Sequence, residues 1–526
     1  MNSSEITIIL NGKRIKAQNG ERLVEIIQRH DIPLSAPCYH RSLTETGHCG
    51  LCLVGARRKA TDKFSVVFAC TATAKEGMEI DTECEEAVNN RNELFRLHLL
   101  RHPLDCSKCD KVGYCFLHKF ASQTKFSGFT RIEQGQLQNV KYEEFGQHIS
   151  FDAQKCIGCQ RCVRFCRDIL DEELLSFIRN ENGFEKIALY PGKNLDNNYS
   201  LNLADLCPAG AFVNKDCVYQ PVEWDLISTP SISTESSVGI NTYVLHRDNK
   251  IFRIRPRENK YVNDAWMSNS ARNEHKYFEN KKRLTRITQN GQRVHLEMAV
   301  LQMVKSFLTD ELAVVCSGNM SLEDQFVLRK LLDSIVHGMF FLRKRRVSDG
   351  FLISDDATPN VNGAILNKII TKEKIVDDLK ELNRRIQAGL CKKILSINED
   401  IFSHGVPYAL PDDVEIFYIG TENNKTSKRA TIIIPVTTVF ENTGTFINKD
   451  WRLQKFYKAI NPPSDNIFPM WYVFSLLSNV YLGTTERELL WLDDVWKNMT
   501  HDVDLLANVD FFNVNLSGVL LKKHQK

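Results

Sequence analysis

Residues 156–167 read CIGCQRCVRFCR, and a Cys207-Pro208 pair follows downstream. Cys156, Cys159 and Cys162 recur at three-residue intervals, so each sulfur can take a different iron corner of a cubane. The distant Cys-Pro then closes the set, like the final Cys-Pro of cysteine runs that hold [4Fe–4S] clusters. A single tetrahedral zinc gains nothing from the third close cysteine. Cys166 holds the usual place of a fourth ligand in such a run, but Arg167 follows it instead of proline. No second run exists for it to serve, so Cys166 reads as a buried small hydrophobe or a spare thiol. Arg161, Arg164 and Arg167 interleave with these ligands. The sequence does not decide whether they screen thiolate charge or are simply solvated.

Upstream lie two further sets. Cys38-x10-Cys49-x2-Cys52-x17-Cys70 has the close pair and two outlying cysteines of a [2Fe–2S] site, with Gly47 and Gly50 giving backbone room around the pair. Zinc, which also favours x2 pairs, is the competing reading. His102-x3-Cys106-x2-Cys109-x5-Cys115 fits a His-ligated [4Fe–4S] cluster or a Cys3His zinc site, and its place between two cluster motifs favours the cluster. His98 and His118 are the rival histidines; His102 is preferred because it sits at a predicted helix end near Cys106. A neutral imidazole in place of a thiolate removes one negative charge, which raises the potential against an all-cysteine cluster. Of the 16 cysteines, 13 lie between Cys38 and Cys207, and Cys217, Cys316 and Cys391 stand apart. With no secretion signal expected in MNSSEITIIL, clustered thiols of this kind read as metal ligands rather than a disulfide framework.

Around these sets the chain alternates predicted elements. EITIIL (5–10), the turn Asn11-Gly12 and Arg14–Ala17 read as a hairpin, followed by a short helix over 21–30, the layout of a small β-grasp ferredoxin. A helix is predicted over 84–101, with Leu94, Leu97 and Leu100 as its apolar positions and Pro103 after its end. Residues 116–150 read as a polar connector. Beyond 221, strand-like 311–316 and 431–436 and helix-like 322–335 indicate α/β structure. A balance of 68 Lys+Arg against 65 Asp+Glu gives no reason to expect nucleic acid. No apolar run reaches the ~18 residues of a membrane span, so membrane contact is expected through partner subunits. No G-x-G-x-x-G follows a strand, Ser317-Gly318-Asn319 is a poor substitute, and no flavin fingerprint is present.

SLTETGHCGLCLV, RHPLDCSKCDKVGYC, CIGCQRCVRFC and SLNLADLCPAGA, in this order, resemble the large iron–sulfur subunit of complex I, the NADH–quinone oxidoreductase. NTYVLHRDNKIFRIRPRENKYVNDAW (241–266) and ENTGTFINKDWRLQKFYKAINPP (441–463) resemble parts of a molybdopterin-type oxidoreductase module, carried in that family as a catalytically dead scaffold. The resemblance implies a multidomain α+β and α/β chain: a β-grasp [2Fe–2S] ferredoxin domain at 1–82, a His/Cys3 [4Fe–4S] domain at 83–122 and a ferredoxin-like [4Fe–4S] domain at 146–220. A small molybdopterin-oxidoreductase-type domain at 221–277 and a degenerate α/β scaffold at 278–526 complete it. Some members carry an extra cluster on C-x2-C-x3-C-x27-C. Here Ser233, Ser236, Ile240 and Ser268 keep that spacing without a thiolate, so that cluster is expected to be absent, with hydroxyls bonded locally and isoleucine filling space.

The implied role is electron relay through one [2Fe–2S] and two [4Fe–4S] clusters, from a flavin- and NADH-binding partner toward quinone-side iron–sulfur subunits. This chain would hold no FMN, NAD or molybdopterin and no catalytic residue. It would be a peripheral subunit on the cytoplasmic side of a bacterial-type inner membrane. Competing readings are the diaphorase subunit of an NAD-linked hydrogenase, a formate dehydrogenase, and a purely structural platform. The long C-terminal module is unexplained by the first, isolated cysteines in that module weigh against the second, and the many thiol ligands against the third.

Overall fold

The computed structural model describes residues 4–59, 61–103, 105–124, 142–179, 185–278, 282–308, 311–335, 337–371, 374–484, 489 and 491–521. The chain divides into two compact units, Met1–Leu226 and Ile227–Lys526.

The first unit opens with strands Glu5–Leu10 and Lys13–Gln18, paired antiparallel from Glu5↔Gln18 to Leu10↔Lys13. Asn11 and Gly12 both take positive φ, +48° and +78°, the geometry that matches hairpin twist. Glu79–Asp81 then pairs parallel to the first strand, and Leu53–Arg57 and Ser65–Phe68 complete a five-stranded sheet. Helix Leu23–Arg29 packs Leu23, Val24, Ile26 and Ile27 into its core. This is the β-grasp layout.

The helix expected over 84–101 forms as Glu85–Arg101; of its expected apolar positions Leu94 packs against the core, Leu97 does not, and the Leu100 side chain lies outside the described residues. Ala87, Arg91 and Phe95 are buried, while Leu97 is 54 % exposed. Arg91 is held inside because its guanidinium donates to the Leu53 and Thr82 carbonyls at 3.1 and 2.8 Å. The connector reading of 116–150 is corrected at both ends. Phe116–Thr124 is a helix, held by Leu117 and Phe120, and the Phe120 ring lies 4.4 Å from that of Phe95. Glu143–Glu144 and Ile149–Phe151 are strands, the latter also paired with Phe212–Asn214. Residues 125–141 lie outside the described residues.

The second unit begins with an antiparallel sheet of Ile227–Ile232, Asn241–Arg247 and Lys250–Pro256. Its larger sheet has six parallel strands in the order Ile432–Pro435, Glu415–Gly420, Lys393–Ile397, Leu312–Cys316, His337–Leu342, Ile375–Val376, with a two-strand antiparallel edge. In chain order this is 6-5-4-1-2-3, a doubly wound α/β sheet whose order reverses between Leu312–Cys316 and Lys393–Ile397. Alternate residues of Leu312–Cys316 enter two different apolar cores, as burial on both faces requires. A cleft of about 500 Å³ lies beyond the carboxyl ends of these strands, lined by Asn319, Lys344, Asn398, Thr421 and Thr437 among others. The helix Leu322–Leu332 that follows the first parallel strand is closed by its own capping box: Ser321 N–H donates to Asp324 at 2.9 Å, and Asp324 N–H to Ser321 Oγ at 3.1 Å. Burial pushes the Asp324 carboxyl up to about 6.

Candidate metal centres

The [2Fe–2S] set is built by the loop after helix Leu23–Arg29 and by the end of strand Ser65–Phe68. Cys38, Cys49, Cys52 and Cys70 are all buried. Gly50, at φ +70°, carries the chain around the close pair in a conformation that side chains disfavour. The four thiols are hydrogen-bonded in a row, Cys49–Cys38–Cys70–Cys52. Hydrogen bonds from Cys49 and Cys70 hold Cys38 below the usual thiol range, and one from Cys70 does the same for Cys52. Cys49 and Cys70 are pushed up in turn by those bonds to Cys38, and by burial.

In the His/Cys3 set, His102 caps the carboxyl end of helix Glu85–Arg101 and is buried. Burial, then the neighbouring Lys155 ammonium, pushes its imidazole down to about 4, so the ring is neutral. Its Nδ1 is buried without a hydrogen-bond partner, while the Lys155 backbone hydrogen-bonds the ring. One committed nitrogen and one orphaned nitrogen is the arrangement of a histidine ready to ligate. The rivals are placed differently: a His98 ring nitrogen lies 3.2 Å from the Cys49 carbonyl, and His118 is exposed. Cys106 lies in a tight turn, and Cys109 and Cys115 are half-buried, their thiols pushed up by burial. Cys115 feels the charges of Cys106 and of Cys207 in the next set.

The all-cysteine set surrounds a cavity of its own. Cys156, Cys159, Cys162 and Cys207 line one small cavity with Pro208 and Ala211. Gly158 at φ +67° and Gln160 at φ +56° turn the chain so that Cys156 and Cys159 face it, and the short helix Arg161–Arg164 brings Cys162. Backbone N–H groups of Gly158 and Ala211 donate to the sulfurs of Cys156 and Cys207 at 3.4 and 3.3 Å, the contacts that tune a ligated sulfur. Burial pushes the Cys159 thiol up to about 11 and those of Cys156 and Cys162 higher. Thiols so placed give up their protons when a metal core takes the charge. Cys166 is buried in the π-helical turn Phe165–Ile169, away from the cavity lining, and burial pushes it up to about 12. Among the described residues, no three His, Cys, Asp or Glu side chains gather tightly enough to hold a single ion.

Cys38, Cys49 and Cys159 share one apolar core with Phe95, Leu117 and Phe120, and Cys115 packs against it. Phe116 N–H donates to the Pro208 carbonyl at 3.1 Å, and a Cβ on Gly210 would lie 3.2 Å from Cys109 Sγ. The three ligand sets are therefore neighbours.

In the second unit, Ser233, Ser236, Ile240 and Ser268 are all buried. Ser233 Oγ donates to Glu274 and Ser268 Oγ to Glu235, each at 2.8 Å, and the Val238 N–H reaches Ser236 Oγ at 3.4 Å. Glu235 and Glu274 escaped the sequence reading, because no ligand spacing points to flanking carboxylates. Burial pushes Glu274 up to about 7, and Arg346 pairs with Glu235 at 2.6 Å.

A β-grasp domain and ferredoxin-like loops joined to a doubly wound module make this a multidomain iron–sulfur chain. Residues 3–85 match a 2Fe-2S iron-sulfur cluster binding domain, and residues 146–213 the ferredoxin-like domain of NADH-quinone oxidoreductase subunit 3. Residues 226–275 match the 4Fe-4S domain of the NADH-ubiquinone oxidoreductase NDSU1/NuoG-like family, and residues 403–480 match molybdopterin oxidoreductase. The chain is 27 % identical over 336 residues to the G subunit of NADH-quinone oxidoreductase from Rickettsia felis, covering 63 % of this chain and 49 % of that protein. It is 30 % identical over 269 residues to the mitochondrial NADH-ubiquinone oxidoreductase 78 kDa subunit of Neurospora crassa, covering 51 % and 36 %. A solved NAD+-reducing [NiFe]-hydrogenase chain aligns at 19 % identity and a TM-score of 0.36, over 42 % of this chain and 92 % of that one. The chain is a relative of the large iron–sulfur (G) subunit of NADH-quinone oxidoreductase, and it spans about half the length of the first of these relatives.

Proposed function

We propose that this chain relays single electrons within an NADH–quinone oxidoreductase of the complex I type. Three clusters carry the current: a [2Fe–2S] on Cys38, Cys49, Cys52 and Cys70; a [4Fe–4S] on His102, Cys106, Cys109 and Cys115; and a [4Fe–4S] on Cys156, Cys159, Cys162 and Cys207. The domains are those drawn from the sequence, 1–82, 83–122, 146–220, 221–277 and 278–526. The observation that carries the reading is one apolar core that contains Cys38, Cys49 and Cys159 and has Cys115 packed against it, so that residues of all three sets lie together. Held by these residues, the clusters would supply one-electron transfer, one oxidised by an electron as its neighbour is reduced by one, with no atom changing place and no substrate pocket needed in the chain. Its own residues exclude water, hold the sulfurs and set the local charge.

Hydride chemistry then belongs to a flavin- and NADH-binding partner, and quinone-side iron–sulfur subunits accept the electrons. Among the described residues no helix is long and apolar enough to cross a membrane, which fits a peripheral place in the complex. The test is purification of the native assembly. A flavin-bearing chain should co-purify, and NADH should reduce the clusters of this chain. Molybdenum, tungsten or a nickel–iron subunit in the assembly would overturn the reading.

A further inference from the structure

The arginines between the ligands of the all-cysteine set are buried, and this has a consequence for two clusters at once. Arg161 and Arg164 are 6 % and 2 % exposed. Among the described residues no carboxylate lies within ion-pair distance of either guanidinium. Both instead donate to backbone carbonyls. Arg161 reaches Leu206 at 3.3 Å, Ala36 at 3.2 Å and Tyr39, and lies 5.0 Å from the Phe116 ring centre. Arg164 uses its whole fork: Nε donates to Gln160 at 3.3 Å, Nη1 to Thr44, and Nη2 both to Cys38 at 2.5 Å and to Cys159 at 3.1 Å. A single nitrogen thus joins the backbone of a [2Fe–2S] ligand to that of a [4Fe–4S] ligand.

Two buried cations side by side, with only carbonyls around them, are costly unless a negative group lies close. The groups within reach are the two thiolate sets. Cluster potential follows net charge and the hydrogen bonding around the sulfurs, so a cation fixed between two clusters raises both. Arg167 is the contrast: its side chain is 55 % exposed and pairs with Asp168 at 2.8 Å.

Resting on the proposed cluster assignment, we infer that Arg164 is a positioning residue shared by two clusters, setting the potentials of the Cys38 and Cys159 sites together. Its planar fork is what allows this. A lysine carries the same charge on one ammonium and cannot reproduce the four-carbonyl span.

The test is an EPR-monitored redox titration of the full chain with its clusters. Arg164→Gln should lower the reduced-to-oxidised ratio of both the [2Fe–2S] and the all-cysteine [4Fe–4S] cluster about tenfold at fixed potential, about 59 mV for one electron. The His102-ligated cluster should move far less, and Arg167→Gln should move none. Arg164→Lys should give an intermediate drop in both, and it decides the matter if the glutamine variant fails to keep its clusters. Potentials unmoved in a variant that retains its clusters, or a shift in only one of the two, overturn the inference. Absence of cluster signals from the wild-type chain would instead sink the proposed function.

Discussion

The cluster loops of the first unit and the serine-substituted loop of the second both keep a ligand-type spacing and surround it with different polar partners. Around the proposed thiolate sets Lys111, Lys155, Arg161 and Arg164 are buried, with Asp152 buried beside Lys155. Around Ser233, Ser236 and Ser268 the partners are the carboxylates Glu235 and Glu274. A thiolate-bound core is net negative, and a buried site tolerates it only with positive groups nearby. Without thiolates that requirement vanishes, and hydroxyls donate to carboxylates instead. The difference is one of polar partners: buried guanidinium and ammonium groups lie around the thiols, whereas two of the serine hydroxyls donate to carboxylates, of which Glu235 is paired with Arg346 and Glu274 is pushed up to about 7 by burial.

Restoring the lost ligands is the strongest way to break that comparison. Ser233→Cys, Ser236→Cys, Ile240→Cys and Ser268→Cys together place four thiols at the family spacing, but beside two carboxylates. Anaerobic reconstitution of this variant should leave iron unchanged. Adding Glu235→Gln and Glu274→Gln should raise it by about four irons per chain. A fourth cluster in the four-cysteine variant with both carboxylates in place would show that charge does not decide occupancy.

A smaller effect sharpens the comparison through pH. Burial pushes Glu274 and Glu323 up to about 7 and Asp324 up to about 6. Raised carboxyl values mean that the folded unit holds protons the unfolded chain has released, so stability falls as pH rises from about 4.5 to 7. Each glutamate contributes at most roughly 3 kcal/mol to that fall. Denaturant titration followed by tryptophan fluorescence reads mainly this unit, since of the six tryptophans only Trp224 precedes it. The midpoint should be higher at pH 5 than at pH 8, and Glu274→Gln should flatten the difference. An equal midpoint at both values would mean these carboxyls are not held protonated.

The legible parts of the molecule were those with a rule of spacing. Asn11-Gly12 between alternating apolar runs marked the hairpin, and the cysteine intervals marked thiols that the fold brings close to one another. Where tertiary contact overrides local pattern, the sequence was silent or misleading. FLHKFASQT becomes a helix because Leu117 and Phe120 pack on Phe95, a partner about 25 residues earlier. In helix Glu85–Arg101 a charged residue, Arg91, occupies a core position because two carbonyls receive it, so the leucine periodicity, which marked Leu94 correctly, missed this position and misplaced Leu97. The burial of Arg161 and Arg164 was equally hidden, since the carbonyls that accept from them at Ala36, Cys38, Tyr39 and Thr44 lie more than a hundred residues away. His102 was preferred in the sequence for its place at a helix end, and its buried, unpartnered Nδ1 is a feature that no spacing shows.

The central claim is that three ligand sets hold three clusters and the fourth site holds none. Iron and acid-labile sulfide, counted on the anaerobically reconstituted full chain, test it most directly. The account predicts about ten of each, two from the Cys38 set and four from each of the other two. About fourteen irons, or stoichiometric zinc in place of iron at His102, Cys106, Cys109 and Cys115, would contradict it.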